Sequence, residues 1–365
     1  MRRLLLALVL FAAPAHAASV KDFGAVGDGV TNDTAAVQAA IDEAGQVGGG
    51  LVSLPSGIYV VDPLTLRTGV ALVGDGIGAT VVRLTASSIQ HNDAIHATAV
   101  ERVSIRALTL DVDGLHQLTQ GSEGTRGIQI VASASVIIES VEVVNSGGAG
   151  IKVSSGADIK ILNSSVTLAG QNPNGTPAPG IDLGASDATL RDVLVTGNRI
   201  SRATQEGISI RAGGVSGSTR GVVISSNVLT DNNQRNWTKG AITVTLQSEN
   251  ITVTGNVIRL DPVASSSLGI SVQPMLAGIM ITGNMIEMTS PGHIGVAALD
   301  IAGGKSRGVL ISGNIFRGPG RAIVVSPATP VSLMGNDLTA VTNPTPAVFM
   351  PPTASGLYVG INPGL

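Results

Sequence analysis

The chain has 365 residues, no cysteine, 22 basic against 25 acidic side chains, and only 13% charged and 2% aromatic residues. Without Arg2 and Arg3 the balance is 20 to 25, which argues against a nucleic-acid or anionic-membrane partner. The lack of cysteine excludes a disulfide scaffold, so an extended core must supply the stability.

The chain opens MRRLLLALVLFAAPAHA, with a positive start, an apolar run over residues 4–13 and a small-x-small site at Ala15-His16-Ala17. Residues 1–17 are expected to be a cleaved signal peptide, giving a secreted or periplasmic protein. The run is too short to cross a bilayer as a helix, so no membrane insertion is expected. Residues 32–45, NDTAAVQAAIDEAG, predict one helix. Asn32 and Asp33 are its N-cap candidates, Val37, Ala40, Ile41 and Ala44 form its apolar face, and Gly45 is the expected stop.

From about residue 95 to about residue 340 the chain repeats. The phrases LVTGNRI, VISSNVL, TVTGNVI, MITGNMI and LISGNIF place Asn198, Asn227, Asn256, Asn284 and Asn314 at spacings of 29, 29, 28 and 30. A shorter copy, LMGNDL, adds Asn336. Each phrase is followed by a second short strand: GIQI (127–130), GIKV (150–153), GIDL (180–183), GISI (207–210), AITV (241–244), GISV (269–272), ALDI (298–301) and AIVV (322–325). Such units cannot bury their own apolar faces, but stacked copies can. The expected fold is all-β, a right-handed single-stranded parallel β-helix of about nine or more coils, each rising about 4.8 Å. Residues 18–340 would form it, with 18–61 as N-terminal cap and first strands, the helix closing the open end. The asparagines read as an internal hydrogen-bonded column. Residues 341–365, with five prolines, are expected to be a tail or a cap on the last coil.

Residues 20–61, VKDFGAVGDGVTNDTAAVQAAIDEAGQVGGGLVSLPSGIYVV, closely resemble the opening of the pectate-lyase-like superfamily. Rhamnogalacturonase-like proteins, polygalacturonases and mannuronan C5-epimerases share that opening. The resemblance implies a right-handed parallel β-helix acting on a polysaccharide, with its site on the outer face of one sheet. LTLDVDG (108–114) fits the same pattern. The N-T-D, D-D, G-H-G and R-I-K motifs of polygalacturonases are absent; the nearest is Gly292-His293-Ile294-Gly295. Where epimerases carry D-P-H, this chain has Lys152 and Ser154.

Stacking the GIxI strands gives one outward column of Gln129, Lys152, Asp182, Ser209, Thr243, Ser271, Asp300 and Val324. The column two residues on carries Ser154, Gly184 and Arg211. Lys152, Asp182 and Arg211 thus converge on one sheet of a charge-poor chain. A lysine there is suited to removing the proton α to a uronate carboxylate, which Arg211 is suited to neutralise. That chemistry is lyase or C5-epimerase-like. The bland alternative is a solvated ion-pair ladder. Loop 231–240, DNNQRNWTKG, offers Trp237 as a sugar platform with Arg235 and Lys239 beside it, and the preceding coil adds Arg202, Gln205 and Glu206. In the alternative, Trp237 packs its own loop.

Two other readings stay open. Asp182 with Glu206 is the pair for a glycoside hydrolase, which needs carboxylates about 5–9.5 Å apart. A non-catalytic surface or adhesion module fits the scarce charge and the absent motifs. No cofactor or metal ligand set is assigned, because His91, His96, His116 and His293 share no ligand spacing. Ca²⁺ binding involving Asp182 is left as a possibility that the resemblance raises. Nothing in the sequence marks an oligomer interface.

Overall fold

A computed structural model describes residues 16–86, 93–116, 124–172, 175–184, 188–211, 218–234, 239–245, 247–260, 262, 267–273, 276–298, 307–326, 331–343, 347–349 and 358–363. Every described strand pairing is parallel, and the strands fall into a 23-stranded and an 11-stranded sheet. Each coil contributes one rung to the smaller sheet. In register these rungs include Asp93–Thr98, Arg126–Val131, Ile151–Val153, Ile181–Leu183, Ile208–Ile210 and Gly240–Val244. The larger sheet holds the asparagine phrases, each of which bends at the asparagine and the residue before it. The result is the right-handed parallel β-helix the repeat predicts.

The period-2 alternation sends one apolar column inward from each sheet. In the smaller sheet Ile95, Ile128, Ile151, Ile181, Ile208, Ile242, Ile270, Val296 and Ile323 stack at 1% exposure or less. Burying each such side chain contributes about 2 kcal/mol. The leading glycine of the GIxI motif has a packing cause. A Cβ on Gly150 would lie 2.3 Å from Val166 Cγ1, and one on Gly180 2.5 Å from Ile200 Cγ2.

Asn198, Asn227, Asn256, Asn284, Asn314 and Asn336 are buried to 2% exposure or less. Each backbone N–H and side-chain Nδ2 donates to the Oδ1 of the next asparagine, at 2.9–3.1 Å. Nδ2 also donates to a carbonyl such as Val195 or Ile224. Ser164 begins the column by donating its N–H to Asn198 Oδ1, and Asn362 ends it.

Asn362 bears on the C-terminal expectation. Val348–Phe349 pairs with the strand Arg321–Val325, and Tyr358–Val359 pairs with Val331–Met334. The described part of 341–365 therefore continues the solenoid, because the exposed rungs and the last ladder asparagine both need partners. At the other end the sheet begins at His16, paired with Gly50, so it takes in the last two residues of the expected leader.

The helix spans Thr34–Gln46 and buries Val37, Ala40, Ile41 and Ala44 against the first coils. Two details of its ends differ from expectation. Asp33 occupies the N-cap position, but its carboxylate accepts from the Val26 and Gly27 N–H groups at 2.6 and 2.9 Å, fixing the GDG turn instead of the helix. Gly45 lies inside the helix, and Val47 is the C-cap. Glycine is needed at 45 for packing, since a Cβ would sit 2.5 Å from Arg67 Cβ.

Candidate functional site

The register places the predicted column as a physical row. His96, Gln129, Lys152, Asp182, Ser209, Thr243 and Ser271 are successive partners. The row then continues through Ala297 and Val324. Asp300 is not in it: the rung is Ile294–Ala298, not residues 298–301, and Asp300 lies outside the described residues. The reason is Gly295, whose missing side chain makes room for Phe316 as the other leading glycines do for their core partners.

Lys152, Asp182 and Arg211 do come together. Asp182 Oδ2 lies 3.5 Å from Lys152 Nζ, and Oδ1 lies 3.3 Å from Arg211 Nε. Arg211 Nε donates to Ser209 Oγ of its own coil at 3.1 Å. The Asp182 side chain is 5% exposed, Lys152 18% and Arg211 44%, so the carboxylate is the buried hub and the guanidinium the open edge. All three line a cleft of about 290 Å³, together with Arg126, Gln205 and residues 176–179.

The cleft wall is fastened to the next coil. Ala178 N–H donates to Thr204 Oγ1 at 3.1 Å, and Gln205 N–H donates to the Ala178 carbonyl at 3.2 Å. The Gln205 side-chain amide donates to the Pro177 carbonyl and to Glu206 Oε2, both at 3.1 Å. Past Asp182 the row closes, because Ser209, Thr243 and Ser271 are fully buried. The accessible part of this sheet face therefore centres on Lys152.

Three other predicted residues separate from this group. Glu206 is 1% exposed, does not line the cleft, and faces Lys239 Nζ at 3.9 Å. Burial raises its carboxyl above the usual range; Arg211 and Lys239 pull the other way, and Asp182 adds to the rise. Lys239 is thereby the partner of Glu206 and not a cleft residue. Arg202 is exposed at a coil corner, in a left-handed conformation with φ of 57°, and does not line the cleft. Arg235 and Trp237 lie outside the described residues.

Arg126 is the cleft residue the sequence reading missed. It is held by Asp93 Oδ1 at 2.9 Å, and Asp93 Oδ2 lies 3.1 Å from His96 Nδ1. Two signals pointed there. Arg126 immediately precedes the GIQI strand, and AIHA (94–97) is a GIxI rung with alanine for glycine, as in AITV. Among the described residues no group of three or more carboxylate or imidazole side chains is arranged for a metal ion. Asp182 does not suit calcium, since two cations already flank its carboxylate.

Residues 17–214, more than half of the chain, match the family model described as rhamnogalacturonase A/epimerase, pectate lyase-like. The chain belongs to this family. Among curated relatives, mannuronan C5-epimerase AlgE1 of Azotobacter vinelandii is 40% identical over 147 residues, covering 36% of this chain and 10% of that protein. The chain thus spans only a small part of that relative's length. Among solved structures, the A-module of A. vinelandii mannuronan C-5 epimerase AlgE4 superposes with a TM-score of 0.63 at 23% identity, over 94% of this chain and all of that one. The Streptococcus pneumoniae surface adhesin PfbA superposes with a TM-score of 0.73 at 17% identity, over 88% and 87% of the two chains. At these identities the structural likenesses concern the fold.

Proposed function

We propose that this protein binds and processes a uronate-containing polysaccharide, by lyase or C5-epimerase-like chemistry, in the cleft around Lys152. The single observation that carries the reading is the convergence of Lys152, Asp182 and Arg211 from three successive coils on one walled cleft. With Arg126 the cleft presents three cationic side chains around one lining carboxylate, an arrangement suited to an anionic sugar. The relationship to an epimerase over 36% of the chain supports the same class. Export, expected from residues 1–17, suits a polymer outside the cell.

In this reading Arg211, the open edge of the cluster, engages the substrate carboxylate. Lys152 Nζ is the base that takes the C5 proton, and the electron pair passes into the carboxylate, where the positive edge stabilises it. In elimination the C4–O bond then breaks and the departing oxygen takes a proton from water. In epimerisation a proton from water is delivered to C5 from the opposite face. Asp182 holds Lys152 and Arg211 at their spacing.

The test is incubation of the purified protein with mannuronate and galacturonate polymers in deuterium oxide. Lyase chemistry gives the ultraviolet absorbance of an unsaturated uronate, and epimerisation gives deuterium at C5 without chain cleavage. Neither signal from any polymer, with Lys152→Ala indistinguishable from wild type, overturns the reading. Release of reducing ends without unsaturation would favour hydrolysis by Asp182 and Glu206, a reading weakened by the burial of Glu206 away from the cleft.

A second reading rests on the ion pairs themselves. Lys152 and Arg211 are both engaged by Asp182, as in a charged ladder that presents a binding surface. A non-catalytic polysaccharide-binding module would show binding to the same polymers with no product.

A further inference from the structure

Glu206 is a buried carboxyl that the proposed chemistry does not use. It is 1% exposed and lies one side chain behind the cleft. Gln205 lines the cleft, and its side-chain amide donates at 3.1 Å both to the Pro177 carbonyl of the wall and to Glu206 Oε2. The Glu206 carbonyl accepts the Gly180 N–H at 2.9 Å, two residues before Asp182. The carboxyl is thus fastened to the wall and to the rung that carries Asp182, out of reach of screening by solvent.

Among the described residues, the charged groups that face Glu206 are Lys239 at 3.9 Å, Arg211 and Asp182. Arg211 and Asp182 also line the cleft. Burial raises the Glu206 carboxyl above its usual range, Arg211 and Lys239 pull it down, and Asp182 adds to the rise. Arg211 therefore stands between two anions. One is the carboxylate that Glu206 becomes behind the wall, and the other is the sugar carboxylate it engages in front.

We propose that binding of a carboxylate-bearing glycan in the cleft is coupled to the proton on Glu206, the protonated protein being the form that binds tightly. The inference rests on the function proposed above, because it takes a uronate carboxylate at Arg211 as the ligand. With Glu206 neutral, Lys152, Arg211 and Arg126 face the ligand against the single lining carboxylate of Asp182. Ionisation adds a second anion, in a medium of low dielectric, that competes for Arg211 and repels the incoming carboxylate. Lys239 is common to both states and does not cancel the difference. Coupling between two sites is reciprocal, so a bound carboxylate favours the protonated Glu206 and draws a proton from solution.

The experiment is calorimetric titration of wild type and Glu206→Gln with a mannuronate and a galacturonate oligomer, from about pH 4.5 to about pH 7.5, where the oligomer stays ionised. Glu206→Gln keeps the neutral shape at every pH, so the ratio of the two affinities removes the contribution of every other titrating group. Wild-type affinity relative to the variant is expected to fall about tenfold as pH rises through this range. Repeating the titrations in two buffers of different ionisation enthalpy is expected to show wild type taking up part of a proton on binding, beyond any uptake by the variant. A ratio that stays constant with pH, or equal proton uptake by the two proteins, overturns the inference and leaves the proposed function standing. If circular dichroism shows Glu206→Gln unfolded, Glu206→Met takes its place. If neither folds, absence of proton uptake by wild type across the whole range overturns it. No binding of either oligomer by wild type at any pH overturns both proposals.

Discussion

Lys152 and Asp182 are partners in register on neighbouring coils, and their side chains meet at 3.5 Å with the carboxylate 5% exposed and the ammonium 18%. The carboxylate is the more deeply buried member, so the pair is asymmetric. Removing its charge leaves Lys152 and Arg211 with no negative charge between them. Asp182→Asn is expected to destabilise the fold by about 2 kcal/mol, below the usual cost of breaking a buried pair because Arg211 is open to solvent. Urea unfolding at two salt concentrations checks this, with the loss growing smaller at high salt.

Charge and base function at position 152 separate with two substitutions. Lys152→Ala is expected to lower turnover of a uronate polymer by about 10²–10⁴, the range for loss of a general base. Lys152→Arg keeps the cation but not a base of suitable strength. It is expected to retain binding within about threefold while losing turnover to the same extent. Parallel binding and product assays decide the matter. Binding by all three proteins with no product from any of them would favour the binding-module reading.

The asparagine column predicts a large stability effect far from the cleft. Asn256 donates through its N–H and Nδ2 to Asn284 Oδ1 and through Nδ2 to the Ile224 carbonyl, and its Oδ1 accepts from the N–H and Nδ2 of Asn227. Asn256→Ala leaves the buried Asn227 N–H and Ile224 carbonyl of the preceding coil without their partners, and Asn284 Oδ1 with one donor instead of two. A loss of about 3–5 kcal/mol is expected from denaturant unfolding, with no change in oligosaccharide affinity measured well below the transition.

Glu206 gives a pH dependence with a definite sign. Burial raises its folded-state value above the ordinary 4.5. Its neutral form is therefore the one that suits the fold. Its contribution is complete below the ordinary value and is lost as pH rises through the raised one. Glu206→Gln keeps the neutral shape at every pH. The variant is expected to gain stability relative to wild type as pH increases from about 4.5, levelling once the wild-type carboxyl has ionised. Thermal unfolding from acid to neutral pH checks the slope, and a difference that shrinks as pH rises would contradict it.

The repeat made the fold legible because a solenoid is a local device. Each coil meets mainly its neighbours, so a 29-residue spacing between Asn198 and Asn227 is already a statement about which atoms touch. The same logic brought Lys152, Asp182 and Arg211 together before any coordinates, since they are the outward positions of consecutive rungs. It failed where a rung departs from the motif. At residues 294–298 the rung slipped three positions from the expected ALDI, so that Ala297 took the place of Asp300 in the row. His96 and Arg126 were passed over because alanine replaces the marker glycine in one case and the residue precedes the strand in the other.

The sequence by itself determined the coil period, the inward and outward faces of each rung, the asparagine column and the identity of the charges on the sheet. Those follow from strand periodicity and from the stacking of identical turns. Only the tertiary structure decided how much of that sheet is accessible. Ser209, Thr243 and Ser271 carry the same outward pattern as Lys152, yet they are covered, while residues 176–179, pinned by Thr204 and Gln205, wall an open cleft beside it. Periodicity fixes the direction a side chain takes from its strand. What lies over it depends on loops that have no period, and that is why Glu206 is buried against Lys239 while Arg126 lines the cleft.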